Sequence, residues 1–207
     1  TEVQFIVDNI EIPNPNHFGT QGSTGGPINL INTEFIEKFD FYSGGYNSSF
    51  GNKLSGMLDI KLREGNRKHE SGKLDLNFGG AGGFIEGPIG NSNGSYYIAA
   101  HRSFLELLKG ILNYGGIPIY NNLQGKAVYD FSNNHQLSVL FFGADDKIDI
   151  DHEIEIDDYK INVVDTVEYS DVNYNSRQAT GGFNLRSLWS NNFYTILTGS
   201  HSYTDYD

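Results

Sequence analysis

The chain has 207 residues, with 26 acidic against 14 basic side chains and a net charge of −12. Such a surface repels a phosphate backbone and argues against nucleic-acid binding. The absence of cysteine removes disulfide frameworks and thiolate metal sites. No stretch approaches the ~20 apolar residues of a membrane helix, a test that is blind to β-barrels, whose strands need only about ten alternating residues. With 13 Tyr, 14 Phe, 25 Gly and 5 Pro, the composition favours β structure.

In chain order, "EVQFIVDNIEIPN" predicts a strand running into a turn at Pro13-Asn14-Pro15-Asn16. "HFGTQGSTGG" is loop by composition, and Asn32 is placed to cap a short helix through "TEFIEK". Phe39 and Phe41 alternate with Asp40 and Tyr42. After a turn rich in glycine (Gly44, Gly45, Gly51, Gly56), Leu58, Ile60 and Leu62 alternate with Asp59, Lys61 and Arg63. Residues 1–68 therefore read as a small mixed α/β unit.

From residue 69 onward the period is two. Leu74, Leu76 and Phe78 oppose Lys73, Asp75 and Asn77. Ala127, Tyr129 and Phe131 oppose Lys126 and Asp130. Ala179, Phe183, Leu185 and Trp189 oppose Gln178, Thr180, Asn184 and Arg186. "QLSVLFFGA" and "NFYTILTGS" read as strands whose facing the pattern leaves open, as does the stretch near 95–104. Short turns at Gly90–Gly94, Ser132–His135 and Ser190–Asn192 alternate with long connections at Leu105–Asn121 and Ile148–Asn173. That asymmetry is expected of an outer-membrane barrel, as are aromatics beside the short turns: Tyr96, Tyr97, Tyr129, Phe131, Trp189, Phe193 and Tyr194. Periodicity alone also fits a soluble β-sandwich.

The ordered series "VDNIEIPNPN" (Val7–Asn16), "IEKFDFYSGG" (Ile36–Gly45) and "FGNKLSGMLDIKLREGN" (Phe50–Asn66) resembles the C-terminal part of the plug domain of TonB-dependent outer-membrane receptors. Phe50 stands where that family has Tyr, and Asn9 where it has Gly. "GGFIEGPIG" then resembles the end of the first barrel strand and its turn, and "SYYIAAHRSFLELL" the second strand. The resemblance implies a mainly β fold: the first strands of a transmembrane antiparallel β-barrel, preceded by a small mixed α/β plug. Residues 1–68 would be the C-terminal part of the plug and 69–207 about six barrel strands. A barrel that holds a plug has about 22 strands, so the chain reads as a piece of a longer protein. The implied function is energy-coupled uptake of a scarce nutrient (iron chelate, vitamin, glycan or peptide) across the outer membrane of a Gram-negative bacterium. The implied partners are outer-membrane lipid, the nutrient, and TonB through a missing N-terminal segment. No cofactor and no enzymatic activity are implied. The alternative is a soluble secreted β-rich binding module, cation-assisted.

Two segments are candidate sites. In the family, outward-facing plug loops contact substrate, which assigns Asn14, Asn16, His17, Phe18 and Gln21 to that task through amide hydrogen bonds and stacking. The competing reading is a loop packed against the barrel wall. "DDKIDIDHEIEIDD" carries eight acids in fourteen positions, with Asp149, Asp151, Glu153, Glu155 and Asp157 on one face of an extended segment. Hard cations want several carboxylate oxygens. Dense like charges are more often a solvated face, and that is the preferred reading. The six histidines show no metal-ligand spacing. "GGAGGFIEG" lacks the following helix that a dinucleotide loop requires.

Overall fold

A computed structural model of the chain describes residues 3–19, 26, 28–44, 55–77, 79–105, 117–149 and 174–206. The protein is mainly β. A four-stranded sheet comes first along the chain, with a two-stranded ribbon inserted between its second and third strands, and a seven-stranded antiparallel sheet follows.

The small sheet contains β1 (Val3–Val7), β2 (Ile10–Ile12), β5 (Ile36–Ser43) and β6 (Gly56–Leu62) in the order β2-β1-β6-β5, with β1 and β6 parallel. The single strand expected over the first thirteen residues is in fact a hairpin. Asp8 and Asn9 stand at φ 48° and 65°, the pair of left-handed residues that a two-residue hairpin turn needs. Asp and Asn tolerate that region through local hydrogen bonds. A two-stranded ribbon, β3 (Asn16–His17) and β4 (Ile28–Asn29), follows. The helix expected after Asn32 is a single 3₁₀ turn, Thr33–Phe35. Asn32 does cap it, accepting from the Glu34 amide at 3.0 Å. Ile36 then leaves in an extended conformation into β5, because the Phe39–Tyr42 alternation that follows suits a strand.

The large sheet runs in simple sequence order: β7 (Ser71–Asn77), β8 (Gly80–Ile89), β9 (Gly94–Ser103), β10 (Ile117–Ser132), β11 (His135–Asp149), β12 (Tyr174–Ser190) and β13 (Phe193–Tyr206). Seven strands stand where about six were expected. The extra one arises at "GGFIEGPIG". This is the second strand of a tight hairpin with β7, pairing Asn77 with Gly80, and not the end of the first. The short turns fall where the sequence placed them, at 90–93, 133–134 and 191–192. The first long connection is shorter than expected. Residues 117–121 belong to β10, and Asn121 pairs with Arg102. Within the described residues the sheet is open, with β7 and β13 at its edges.

One face of the large sheet is packed on the small one. Val7, Ile10, Phe35, Ile60 and Leu62 form a common core with Tyr97, Ala99, Leu140, Phe142 and Ala144. This explains why β9 and β11 alternate poorly. Their inward residues are apolar because they meet the small sheet. Their outward residues, Ile98, Val139 and Phe141, are apolar as well and stand exposed. Tyr97, expected among the interfacial aromatics, is instead fully buried. It faces inward and stacks on Phe35, with ring centroids 3.7 Å apart.

Candidate functional site

The loop after β2 is fastened to the large sheet by buried polar groups. Asn14 Oδ1 accepts from the Asn16 amide at 3.1 Å, an Asx-type turn that shapes the loop. His17 is wholly buried, and its Nδ1 lies 2.5 Å from Asp146 Oδ1 on β11. The other Asp146 oxygen accepts from the Phe18 amide at 2.8 Å and from Ser176 Oγ at 3.1 Å. Asn122 Nδ2 on β10 stands 3.1 Å from His17 Nε2. A buried carboxylate is tolerable only with such a set of donors. Serine, aspartate and histidine meet here, but the order is wrong for an activated nucleophile. The hydroxyl donates to the carboxylate and the imidazole is on its far side.

Phe18 sits at φ 56°, a conformation that costs a bulky residue about 1–2 kcal/mol. Its ring packs near His17, Tyr120 and Tyr174. Tyr174 Oη donates to the Gly19 carbonyl at 2.5 Å, and Gln178 Nε2 to the Asn16 carbonyl at 3.1 Å.

A second set of ties holds the opposite end. Lys126 Nζ pairs with Asp8 Oδ2 at 2.9 Å and donates to the Leu62 carbonyl at 2.5 Å. Asn184 Nδ2 donates to the Asp8 carbonyl at 2.7 Å. Arg63 Nη1 meets Glu86 Oε2 at 2.6 Å while its guanidinium lies 4.3 Å from the Phe35 ring centroid. Arg67 pairs with both Glu64 and Asp130, and its hydrogen bond to Asp130 holds the guanidinium above its ordinary range.

Of the five predicted loop residues, Asn14 and His17 are buried and Asn16 and Phe18 are half-buried. All four belong to the loop that meets the sheet. Gln21 lies outside the described residues. So do Asp151, Glu153, Glu155 and Asp157 and the side chain of Asp149. Among the described residues no group of three or more His, Asp or Glu is placed to hold a metal. Asp146 escaped sequence reasoning because it was grouped with the acidic run. The signal was there, since it continues the inward series Leu140, Phe142, Ala144. A cavity of about 440 Å³ lies between the 28–34 segment and β7–β10. Lys73, Asp75, His101, Asn122 and Gln124 are among its polar lining.

The outward face is the converse of the inward one. Leu74 and Leu76 are 90% and 80% exposed. On β11 the outward residues between His135 and Asp145 are Leu137, Val139, Phe141 and Gly143. The run from 135 to 145 spans the ~9–11 residues a transmembrane strand requires. Its turn-side end carries aromatics. Phe131, Trp189 and Phe193 are exposed, and His135 lies edge-on to Trp189 at 5.2 Å. Its other end carries the exposed Asp145–Arg177 pair, 3.0 Å apart. Aromatic rings also cover the glycines on this face. A Cβ at Gly125 would collide with the Phe141 ring, and one at Gly199 with that of Phe183. β10–β13 are 16, 15, 17 and 14 residues long, beyond the roughly 3–10 usual in globular proteins.

This arrangement recurs in solved structures. The siderophore receptor PirA from Acinetobacter baumannii superposes with a TM-score of 0.66 at 14% identity, over 98% of this chain and 32% of that one. PirA from Pseudomonas aeruginosa gives 0.63 at 10% identity, over 100% and 33%. The alcaligin outer-membrane receptor FauA from Bordetella pertussis gives 0.62 at 12%, over 98% and 31%. The chain has the fold of one third of such a receptor. No protein-family model matches it, and no curated protein matches it significantly in sequence. At these identities the likeness is one of fold.

Proposed function

We propose that this chain is the C-terminal part of the plug (1–68) and the first strands of the barrel (69–207) of a TonB-dependent outer-membrane receptor. The whole protein takes up a nutrient that diffusion does not supply, under the pull of TonB on a plug segment outside this chain. The observation that carries the reading is the outward face of the large sheet. It is an apolar band one membrane strand tall, bounded by aromatics at the short turns and by an ion pair at the other rim, over an inner face occupied by a separate small sheet. Lipid suits the band, and a soluble β-rich module would leave it in water. The receptor does no covalent chemistry. Its substrate meets the 13–27 loop, where Asn16, Phe18 and Gln21 supply contacts and the buried Asn14 and His17 hold the loop in shape.

Depth along the band provides the test. Ile98 pairs with Ile85, midway between the turn at 90–93 and Arg102. Leu76 pairs with Ala81, which pairs with Arg102 at the far rim. In the full-length protein refolded into liposomes, Ile98→Arg is expected to cost about 2–4 kcal/mol and Leu76→Arg about 0–1 kcal/mol. Equal tolerance of both, or solubility without detergent, would favour the secreted module.

A further inference from the structure

The loop from Asn14 to Gly19 is kept in a conformation that it would not hold alone. Phe18 is a bulky residue at positive φ, and strain of this kind persists only where the surroundings over-determine it. Here Asp146 does so, receiving His17 Nδ1 and the Phe18 amide on its two oxygens. We propose that Asp146 is the catch of a latch: the His17–Asp146 pair holds the outer end of the plug to the barrel wall, and its loss frees the 14–19 loop while the inner end stays docked. The proposal rests on the plug-and-barrel reading of the two sheets.

Three features make this a latch and not general packing. The contact is between units, since His17 and Phe18 belong to the loop and Asp146, Asn122, Ser176, Tyr174 and Gln178 to three adjacent strands. The ties reach only six residues of loop, and the two at the strained position, from His17 and the Phe18 amide, both end on the Asp146 carboxylate. The inner ties lie far off. Ser138, opposite Asn184 in the register, is eight residues from Asp146 along β11, roughly 26 Å at strand spacing. Sites that far apart act independently. The latch faces the end of the barrel where the long connections leave β11 and enter β12, the end from which a nutrient arrives. Release of the strained loop is therefore a step a ligand can drive by binding the freed form better.

The test is hydrogen exchange measured by mass spectrometry on the full-length protein in detergent. Asp146→Asn is expected to speed exchange of the peptide covering residues 14–19 at least tenfold, leaving the β1 and β6 peptides within twofold of wild type. Arg63→Gln is expected to give the reverse pattern. If both regions loosen together in either variant, or the 14–19 peptide is unchanged in Asp146→Asn, the latch is overturned. Should Asp146→Asn fail to fold, Ser176→Ala removes a single donor. It is expected to move the same peptide about threefold, and no change there overturns the proposal equally. Heat-modifiable migration on gels reports separately on the barrel. Its loss would mark a failure of the receptor reading and not of the latch.

Discussion

Phe35→Ala is expected to destabilise the small sheet's attachment by about 3–5 kcal/mol, the range for deleting a fully buried aromatic side chain. Phe35 is wholly buried. One side of its ring stacks on Tyr97 at 3.7 Å and 12°, Phe84 approaches edge-on at 5.0 Å, and the Arg63 guanidinium sits 4.3 Å from its centre. Truncation leaves a cavity on which Tyr97 cannot collapse, because Tyr97 is held in a strand. It also leaves Arg63 with only its polar partners. The measurement is urea unfolding of the purified protein in detergent, with amide exchange of β1 and β6 as the readout. Glu37→Ala, two residues away on the exposed side of β5, is the control and is expected within about 0.5 kcal/mol of wild type. A Phe35→Ala cost as small as the control's would mean that the two sheets are held together elsewhere.

Lys126→Met is expected to cost a similar amount, about 3–5 kcal/mol, for a different reason. Lys126 and Asp8 are both largely shielded from water, at 8% and 12% side-chain exposure. Removing one partner of a buried pair strands the other charge. The prediction has a signature that simple loss of packing lacks. Adding Asp8→Asn should recover part of the loss, because the stranded carboxylate is then gone. Asn also accepts the positive φ of position 8, so the hairpin turn survives. A double-mutant cycle between the two positions should therefore show a coupling of about 1 kcal/mol or more. Strict additivity would show that the pair is solvated and contributes little.

Where one face of a strand meets water or polar partners and the other is apolar and exposed, the sequence alone was sufficient. Lys126 opposite Ala127 and Asn184 opposite Phe183 tell the inward side from the outward one by alternation alone. The short turns were equally legible, because Asn, Ser and Gly clusters interrupt the alternation at 90–93, 133–134 and 191–192. Local chemistry also placed the cap at Asn32. The hairpin at Asp8-Asn9 was missed because its turn has no glycine. The β7–β8 hairpin was missed because glycines run through both the turn and the strand that follows it.

What only the tertiary structure decided was every feature that depends on a partner distant in the chain. Leu140 and Phe142 could not be assigned a face from periodicity, since both sides of β11 are apolar, an exposed face outside and the small sheet inside. Tyr97 looked like an interfacial aromatic until Phe35, 62 positions earlier in the chain, was found stacked on it. Asp146 looked like one more solvated acid in a run of eight. Its burial is set by His17, 129 residues away, and no local pattern carries that separation. Alternation reports which side of a strand a residue is on. What waits on that side is fixed by how the two sheets pack.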